Sequence, residues 1–248
     1  MKELVFASIT AAAFLAGPAV AADMPVKAPA VQPVAAYNWT GFYIGANGGV
    51  MGFTTDGNFP NHPNNPPFRW HTDRHETALG GVHGGYQYQW GNFVAGIEAG
   101  YEWTVGTGFA QSPGLNGATN PCGYGTNAFC QARIRSIFTV GPRLGYAVNQ
   151  IMLYGTGGYA RYQLHTRGLG FPAPGNVFES VTAWHSGWYA GGGVEVLFTR
   201  NLVFGFEYKH FEFGPANNQP RDIPIDTQRV KTKAEVGFLR LSWLYNPF

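Results

Sequence analysis

Charge is scarce in the 248-residue sequence: Asp, Glu, Lys and Arg together make up 12%, about half of the ~25% usual in soluble domains. Lysine and arginine form no basic run and the net charge is only +2, so nothing indicates nucleic-acid binding. Beyond the N-terminus, no stretch of about 18 residues is predominantly apolar, which excludes a bundle of membrane-spanning helices. Aromatic residues nevertheless make up 16% and glycine is abundant, so an all-β protein is favoured over a disordered one.

Cysteine is almost absent as well. The two that occur, Cys122 and Cys130, lie in a segment rich in Gly, Asn and Pro. In an exported chain we expect them to form a loop disulfide. A metal site there is not expected, because no histidine lies within ten residues of either cysteine.

Residues 1–22 have the pattern of a cleaved signal peptide. Lys2 precedes an uncharged, mostly apolar run from Leu4 to Gly17, and Ala19-Val20-Ala21 supplies the small residues of a cleavage site. The alternative is a membrane-spanning helix, but the run is short for one, is followed directly by Pro18 and has no positive flank after it. An exported protein is therefore predicted.

Residues 23–36 contain three prolines and no strand alternation, which predicts an extended periplasmic tether. The remainder, 37–248, is the predicted folded domain. It contains strand-like segments at 39–52, 77–90, 93–104, 133–148, 152–166, 182–198, 202–211 and about 229–245. Tight turns at 91–92, 149–150 and 200–201 alternate with four longer connections, as in a transmembrane β-barrel with periplasmic turns and external loops.

The predicted strands alternate between an apolar and a more polar face, and the question is which face meets water. A soluble, lipocalin-like barrel would place the apolar face inside. The polar face, however, has only two or three charges per strand among glycines, too few for a solvated exterior. The apolar face ends in aromatic rings, as in an interfacial girdle: Trp90, Phe93, Tyr101, Trp103, Trp184 and Trp188. We therefore expect the apolar face to meet lipid.

Four segments resemble a known family. They are AADMPVKAP, YNWTGFYIGANGG from Tyr37 to Gly49, YGTGGYA from Tyr154 to Ala160, and GWYAGGGVE from Gly187 to Glu195. They are similar to the Omp25/Omp31-like outer-membrane proteins of α-proteobacteria. The resemblance implies an eight-stranded up-and-down barrel in the Gram-negative outer membrane, with roles in envelope integrity and host-facing contact. Some members of the family act as porin-like proteins or bind haemin, and no catalytic motif is carried over.

The C-terminus departs from the usual pattern of such proteins, in which alternating apolar residues end in Tyr-x-Phe. This chain ends in Tyr245-Asn246-Pro247-Phe248, so Phe248 is out of phase with Tyr245. Phe248 is the expected contact with the barrel-assembly machinery, and Pro247 is compatible only with a strand end.

The polar face predicts an interior charge network. Its members are Glu98, Glu102, Glu195, Glu207, Arg135, Arg143, Arg161, Lys209 and Arg240. Acids and bases nearly cancel, and an eight-stranded barrel is only wide enough for side chains to fill it, so the network is interpreted as a plug. A narrow or gated pore is the alternative. Glu102 is expected near Arg135, whereas the facing of Arg161 depends on whether 149–150 is a two-residue turn.

Two further alternatives concern binding and catalysis. His62, His71 and His75 lie in the first long connection, and the spacing of the last two would suit metal or haemin ligands on a helix. Nothing else predicts a helix there, so exposed loop histidines are favoured and no cofactor is expected. Outer-membrane barrels of the lipid A deacylase type resemble this chain in size and strand count, but such an enzyme needs a His and a Ser on one strand face. His185 and Ser186 are adjacent and should point to opposite faces, so no enzyme is predicted.

The sequence thus predicts an outer-membrane barrel with a structural and surface-contact role. Its expected partners are outer-membrane lipid, host or surface ligands at the loops, and the assembly machinery.

Overall fold

The computed structural model describes residues 37–59, 68–105, 108–111, 129–169, 177–218 and 228–246, and every regular element among them is a β-strand. The strands are β1 (Gly41–Phe59), β2 (Phe68–His71), β3 (His75–Trp90), β4 (Phe93–Thr104), β5 (Ala110–Gln111), β6 (Phe129–Val148), β7 (Ile151–Leu169), β8 (Val177–Leu197), β9 (Leu202–Asn218) and β10 (Gln228–Tyr245). Among these residues there is no helix long and apolar enough to cross a membrane.

The long strands form a closed antiparallel ring. Each pairs with the next long strand along the chain, and β10 pairs with β1 to complete the ring. The short strand β2 pairs with the end of β1, and the two-residue β5 pairs with β6. The prediction of an all-β, eight-stranded up-and-down barrel is confirmed.

The tight turns lie at one end of the barrel. Gly91 begins the turn between β3 and β4 with φ 59°, and Asn149 begins the turn between β6 and β7 with φ 55°. This left-handed region is adopted readily only by glycine and, to a lesser degree, asparagine. A short bend at 198–201 joins β8 to β9. The strand ends that lead into the longer connections are at the opposite end, hereafter the loop end.

Several strands continue further toward the loop end than the sequence predicts. Strand β6 begins at Phe129 rather than at residue 133, and β9 continues to Asn218 rather than ending at residue 211. The backbone ladder persists there after the apolar alternation has stopped. Periodicity therefore locates the lipid-facing part of each strand better than its end.

Side chains alternate between an exposed outer face and a buried inner face. On β4, Ile97 is 57% exposed whereas the adjacent Glu98 is 4% exposed. Large exposed apolar side chains occur around the ring: Phe42, Ile44, Val82, Ile97, Leu144, Leu153, Phe204, Phe206, Leu239 and Leu241. The apolar stripe is thus the exterior, as lipid contact requires.

The interior contains two separate apolar clusters. The turn-end cluster consists of Trp39, Tyr43, Val94, Ala147, Met152, Tyr154, Leu197, Val203 and Leu244. The loop-end cluster is larger and includes Met51, Phe53, Leu79, Ile134, Ile137, Tyr162, Leu164, Phe211, Phe213 and Phe238. The residues of each cluster come from the corresponding ends of the strands, so a middle layer remains between them.

Candidate functional site

Six oppositely charged side chains occupy this middle layer of the interior, and we call them the central network. The acids are Glu98 on β4, Glu195 on β8 and Glu207 on β9, and the bases are Arg143 on β6, Lys209 on β9 and Arg240 on β10. None of the six is more than 4% exposed. Three carboxylates therefore balance three bases within the network.

Arg240 makes ion pairs with all three acids. Its Nη1 lies 3.0 Å from Oε1 of Glu98 and 2.6 Å from Oε2 of Glu207. Its Nε lies 3.5 Å from Oε1 of Glu195. Because one guanidinium contacts carboxylates from three other strands, Arg240 is the centre of the network.

The other two bases complete the pairing. Arg143 contacts Glu195 and lies 3.2 Å from Oε2 of Glu98. The Nζ of Lys209 lies 3.0 Å from Oε2 of Glu207 and 3.7 Å from Oε1 of Glu98. Each acid thus meets at least two bases, which offsets the cost of burying the charges.

Two tyrosines connect the network to the turn-end cluster. Tyr43 donates a hydrogen bond of 2.9 Å to Glu98, and Tyr154 donates one of 3.0 Å to Glu207. The guanidinium carbon of Arg143 lies 3.8 Å from the centre of the Tyr154 ring, a cation–π geometry. Tyr43 belongs to the YNWTGFYIGANGG segment, but its hydroxyl partner could not be predicted from the sequence alone.

Two glycines make room for these tyrosines. A Cβ added to Gly85 would lie 2.7 Å from the hydroxyl oxygen of Tyr43, and one added to Gly193 would lie 2.8 Å from that of Tyr154. Both distances are far shorter than a normal van der Waals contact. A side chain at Gly85 or Gly193 would therefore collide with the tyrosine that crosses the barrel there, and also with the carbonyl oxygen of the neighbouring strand.

Trp39 fills the turn end of the interior. Its side chain is fully buried, and its Nε1 donates a hydrogen bond of 3.4 Å to the carbonyl oxygen of Asn149. Its carbonyl oxygen accepts a hydrogen bond of 2.8 Å from the side chain of Gln87, and its backbone N–H donates one of the same length to Gln89. Trp39 is thus fixed from both sides at the turn-end mouth of the barrel.

Glu102 is buried, but it lies outside the central network. It accepts a hydrogen bond of 3.4 Å from the amide of Asn47, and its Oε2 has no hydrogen-bond partner. The predicted pair with Arg135 is wrong, because Arg135 is exposed on the outer face. The cause is a β-bulge between Ile134 and Ser136, which inverts the alternation so that Ile134 and Ile137 both face inward.

Arg161 also faces outward rather than into the interior. Residues 149–150 form a two-residue turn, and Ile151 pairs directly with Val148. Odd-numbered residues at the start of β7 therefore point to lipid, whereas Met152 and Tyr154 point inward. The prediction that Arg161 points into the interior is therefore wrong, because it placed the odd-numbered residues of β7 on the inner face.

The predicted aromatic girdle residues all lie on the outer face. Their exposed fractions range from 41% for Trp184 to 56% for Phe93. At the turn end, Trp90 stacks on Phe93, and the edge of the Phe93 ring meets Tyr146 at 5.3 Å between centroids. Tyr101, Trp103, Trp184 and Trp188 lie further along their strands toward the loop end.

The histidines of the first connection do not form a shared site in the described residues. His71 ends β2 and its Nδ1 lies 2.6 Å from Asp56, whereas His75 begins β3 and its ring packs edge-on against Phe53. The helix that would place them on one face is absent from this segment, and His62 lies outside the described residues. Within the described ranges no group of three potential metal ligands occurs.

The remaining candidates from the sequence are Cys122, Cys130 and the adjacent residues His185 and Ser186. Cys122 lies outside the described residues, so the disulfide stays a prediction. His185 is buried, whereas Ser186 points outward to the hydroxyl of Tyr159 at 2.7 Å. His83 and Ser242 do meet inside the barrel, at 2.7 Å, but both are buried and Nδ1 of His83 has no hydrogen-bond partner. The carboxylate that orients a catalytic histidine is thus lacking at Nδ1 of His83.

The sequence pattern of outer membrane protein beta-barrel domains matches residues 9–238. The chain belongs to this family of outer-membrane β-barrels. The 31 kDa outer-membrane immunogenic protein of Brucella melitensis is 29% identical, over 99% of each chain. The 25 kDa outer-membrane immunogenic protein of Brucella abortus is 26% identical, over 93% of this chain and 92% of that protein. Among solved structures, the outer membrane protease OmpT of Escherichia coli has a TM-score of 0.49 at 8% identity, over 86% of this chain and 99% of OmpT.

The similarity to the Omp25/Omp31-like proteins is therefore confirmed, and this outer-membrane barrel is located in the Gram-negative outer membrane. Its exposed apolar face meets lipid. In its middle layer, the central network pairs every acid with a base.

Proposed function

We propose that this outer-membrane barrel is a non-conducting envelope protein that catalyses no reaction and uses its loop end for contacts outside the cell. The observation that carries the proposal is the central network between two apolar clusters. The barrel is an anchor, and its longer connections are the contact surfaces.

The layered interior is poorly suited to ion passage. A permeating ion would have to cross the loop-end cluster, the central network and then Trp39, which is fully buried at the turn end. The acids and bases of the network balance, whereas a selective pore is expected to have a surplus of one sign. The charged side chains of the network are already paired with one another. A passing ion that displaced one of them would leave a buried charge unpaired.

Planar-bilayer recording tests the closed state. The purified full-length protein should produce no steady conductance steps under conditions in which a porin prepared in parallel does. Regular steps in the wild type would contradict the proposal, and the Glu102→Ala variant would then identify their path. If the size of the conductance steps changes in Glu102→Ala, the ions pass Glu102 and the protein is a narrow pore.

The proposed contact role rests on the grouping of the longer connections at one end of the barrel. The two Brucella relatives are both named as immunogenic, and we propose that antibodies reach the loop end of this chain on intact cells. An epitope inserted between β7 and β8 should be labelled by antibody on intact cells. The same epitope at the 149–150 turn should be labelled only after the outer membrane is permeabilised, and labelling of both on intact cells would contradict the proposed orientation.

The envelope role is tested separately. Cells lacking the gene should become more sensitive to detergent, and a copy with the β7–β8 connection shortened should restore resistance, because the barrel itself supplies the anchor. Unchanged sensitivity of the deletion strain would contradict an envelope role while leaving the contact role intact.

A further inference from the structure

Five basic side chains are grouped on the outer face of β6 and β7, toward the loop end. They are Arg133 and Arg135 on β6 and Arg161, His165 and Arg167 on β7. The strand register places Arg133 opposite His165, Gln131 opposite Arg167 and Phe138 opposite Arg161. The bulge that turns Arg135 outward and the tight turn that turns Arg161 outward are what bring these charges to one face. We call this group the basic patch.

The basic patch begins at the level of the loop-end aromatic girdle. The guanidinium carbon of Arg161 lies 5.2 Å from the centre of the Trp184 ring, and Trp103 of β4 pairs with Ser136 beside Arg135. Toward the turn end, the outer face of the same strands is apolar, with Leu144 and Leu153 exposed. Aromatic girdles mark the boundary of the hydrocarbon layer, so the patch lies at the height of the lipid headgroups.

The arginines of the basic patch have no acidic partner among the described residues. None of the four forms an ion pair within the part of the chain that the structure describes. Elsewhere at the loop end, acids lie among the bases of the outer face: Lys231 lies 2.8 Å from Glu212, His210 2.5 Å from Glu235, and Arg74 3.7 Å from Glu76. Among the described residues, the basic patch therefore differs from the β9–β10 side, where Glu212 and Glu235 accompany the bases.

One of these arginines is also held in place, and another has an unused hydrogen-bond donor. Arg167 donates a hydrogen bond of 2.6 Å to Gln131, and its guanidinium carbon lies 3.7 Å from the centre of the Phe109 ring. The Nε of Arg133 is buried without a hydrogen-bond partner. A buried N–H donor of this kind is costly when it is unsatisfied, so the Arg133 guanidinium has hydrogen-bonding capacity that the described residues leave unused.

We propose that the basic patch binds the phosphate groups of an anionic lipid in the external leaflet of the outer membrane. Guanidinium groups bind phosphate through paired, charge-assisted hydrogen bonds. The apolar surface below the patch would contact the acyl chains of the same lipid. A soluble anion has no such chains and would gain nothing from this surface. The patch thus selects one side of the barrel for a bound, phosphorylated lipid.

Titration of the refolded protein in neutral detergent with bisphosphorylated lipid A, followed by native mass spectrometry, tests the proposal. The variant Arg133→Gln/Arg135→Gln/Arg161→Gln/Arg167→Gln should bind it about tenfold more weakly or worse, since each arginine near an anionic lipid surface contributes roughly a severalfold factor. Dephosphorylated lipid A should bind the wild type no better than bisphosphorylated lipid A binds this variant.

The matched control removes four basic side chains from the other side of the barrel: Arg74→Gln/Arg229→Gln/Lys231→Gln/Lys233→Gln. It should keep wild-type affinity within about a factor of two, the scatter expected of surface substitutions. Equal weakening in both variants would show a general charge effect and overturn the proposal. Complete displacement of lipid A by millimolar inorganic phosphate would also overturn it, since the site would then be one for soluble anions.

Folding of each variant is checked by the heat-dependent shift in electrophoretic mobility that folded barrels show. If the quadruple variant does not fold, Arg135→Gln and Arg161→Gln are used singly, because both side chains are exposed. Each should weaken the binding of bisphosphorylated lipid A measurably, and wild-type affinity in both would overturn the proposal.

Discussion

Arg240 contacts carboxylates from β4, β8 and β9, so its removal should affect the whole interior. In Arg240→Met, Glu98, Glu195 and Glu207 share only Arg143 and Lys209, leaving an excess of buried negative charge. Removing one partner of a buried ion pair costs about 3–5 kcal/mol. We expect a loss of this size in the free energy of unfolding, measured with guanidinium chloride in phospholipid vesicles by tryptophan fluorescence.

The matched control is Arg200→Met in the bend between β8 and β9, where the side chain is exposed. Surface changes of this kind alter stability by about 0.5 kcal/mol or less. Equal effects of the two variants would show that the central network does not stabilise the barrel.

Gly193 leaves the space that the side chain of Tyr154 occupies inside the barrel. In Gly193→Ala the new Cβ would collide with the carbonyl oxygen of Phe206 and lie 2.8 Å from the Tyr154 hydroxyl, so the β9 backbone has to shift and the tyrosine has to move away from Glu207. Overpacking of this kind costs about 1–3 kcal/mol. Gly48→Ala is the control, because a Cβ there meets no atom within 4 Å. A Gly193→Ala protein as stable as Gly48→Ala in the same unfolding assay would contradict the packing role.

At the scale of the strand, β4 presents an unbroken apolar row to lipid. Ile97 lies near the middle of this row and is 57% exposed. In Ile97→Arg a charge enters the hydrocarbon layer, which costs about 2–4 kcal/mol at the midplane of a barrel exterior. The same change at Val148, beside the 149–150 turn, should cost only about 0–1 kcal/mol. Unfolding in vesicles measures both, and a smaller cost at Ile97 than at Val148 would place the apolar face away from lipid.

Strands with unbroken alternation could be assigned to their faces from the sequence. On β4 and β9, Ile97, Phe204 and Phe206 face outward and Glu98 and Glu207 inward, as the alternation predicts. The inner and outer faces of strand β6 could not be assigned throughout. A bulge inserts only one extra residue, and nothing in the composition near Arg135 indicates it. Strand β7 could not be assigned because its facing depends on one residue of turn length, at Asn149 and Gln150.

The partners within the interior were harder to predict than its composition. Glu98, Arg143, Glu195, Glu207, Lys209 and Arg240 could all be selected as inward charges, but not their pairing. The contact between Glu98 and Arg240 joins residues 142 positions apart. Such cross-barrel pairs depend on the stagger of the strands around the ring, which local patterns do not specify.

At the scale of the whole molecule, two apolar clusters close the interior independently. Trp39→Ala opens only the turn-end cluster, so the barrel should remain non-conducting in planar bilayers while losing about 3–5 kcal/mol of stability. Trp90→Ala, on the outer face of the same end, should lose less because its ring is 51% exposed. Steady currents in Trp39→Ala would show instead that this one side chain closes the barrel.

Pairing of the first long strand with the last one also has a consequence for biogenesis. Phe42 pairs with Tyr245 and Asn58 with Arg229, so the ring joins the two extremes of the folded chain. Until translation and export have delivered the final strand, β1 keeps an unsatisfied edge that can recruit other chains. The closure of this barrel therefore depends on the arrival of its last strand, and a chain that ends before Gln228 would keep the edge of β1 open.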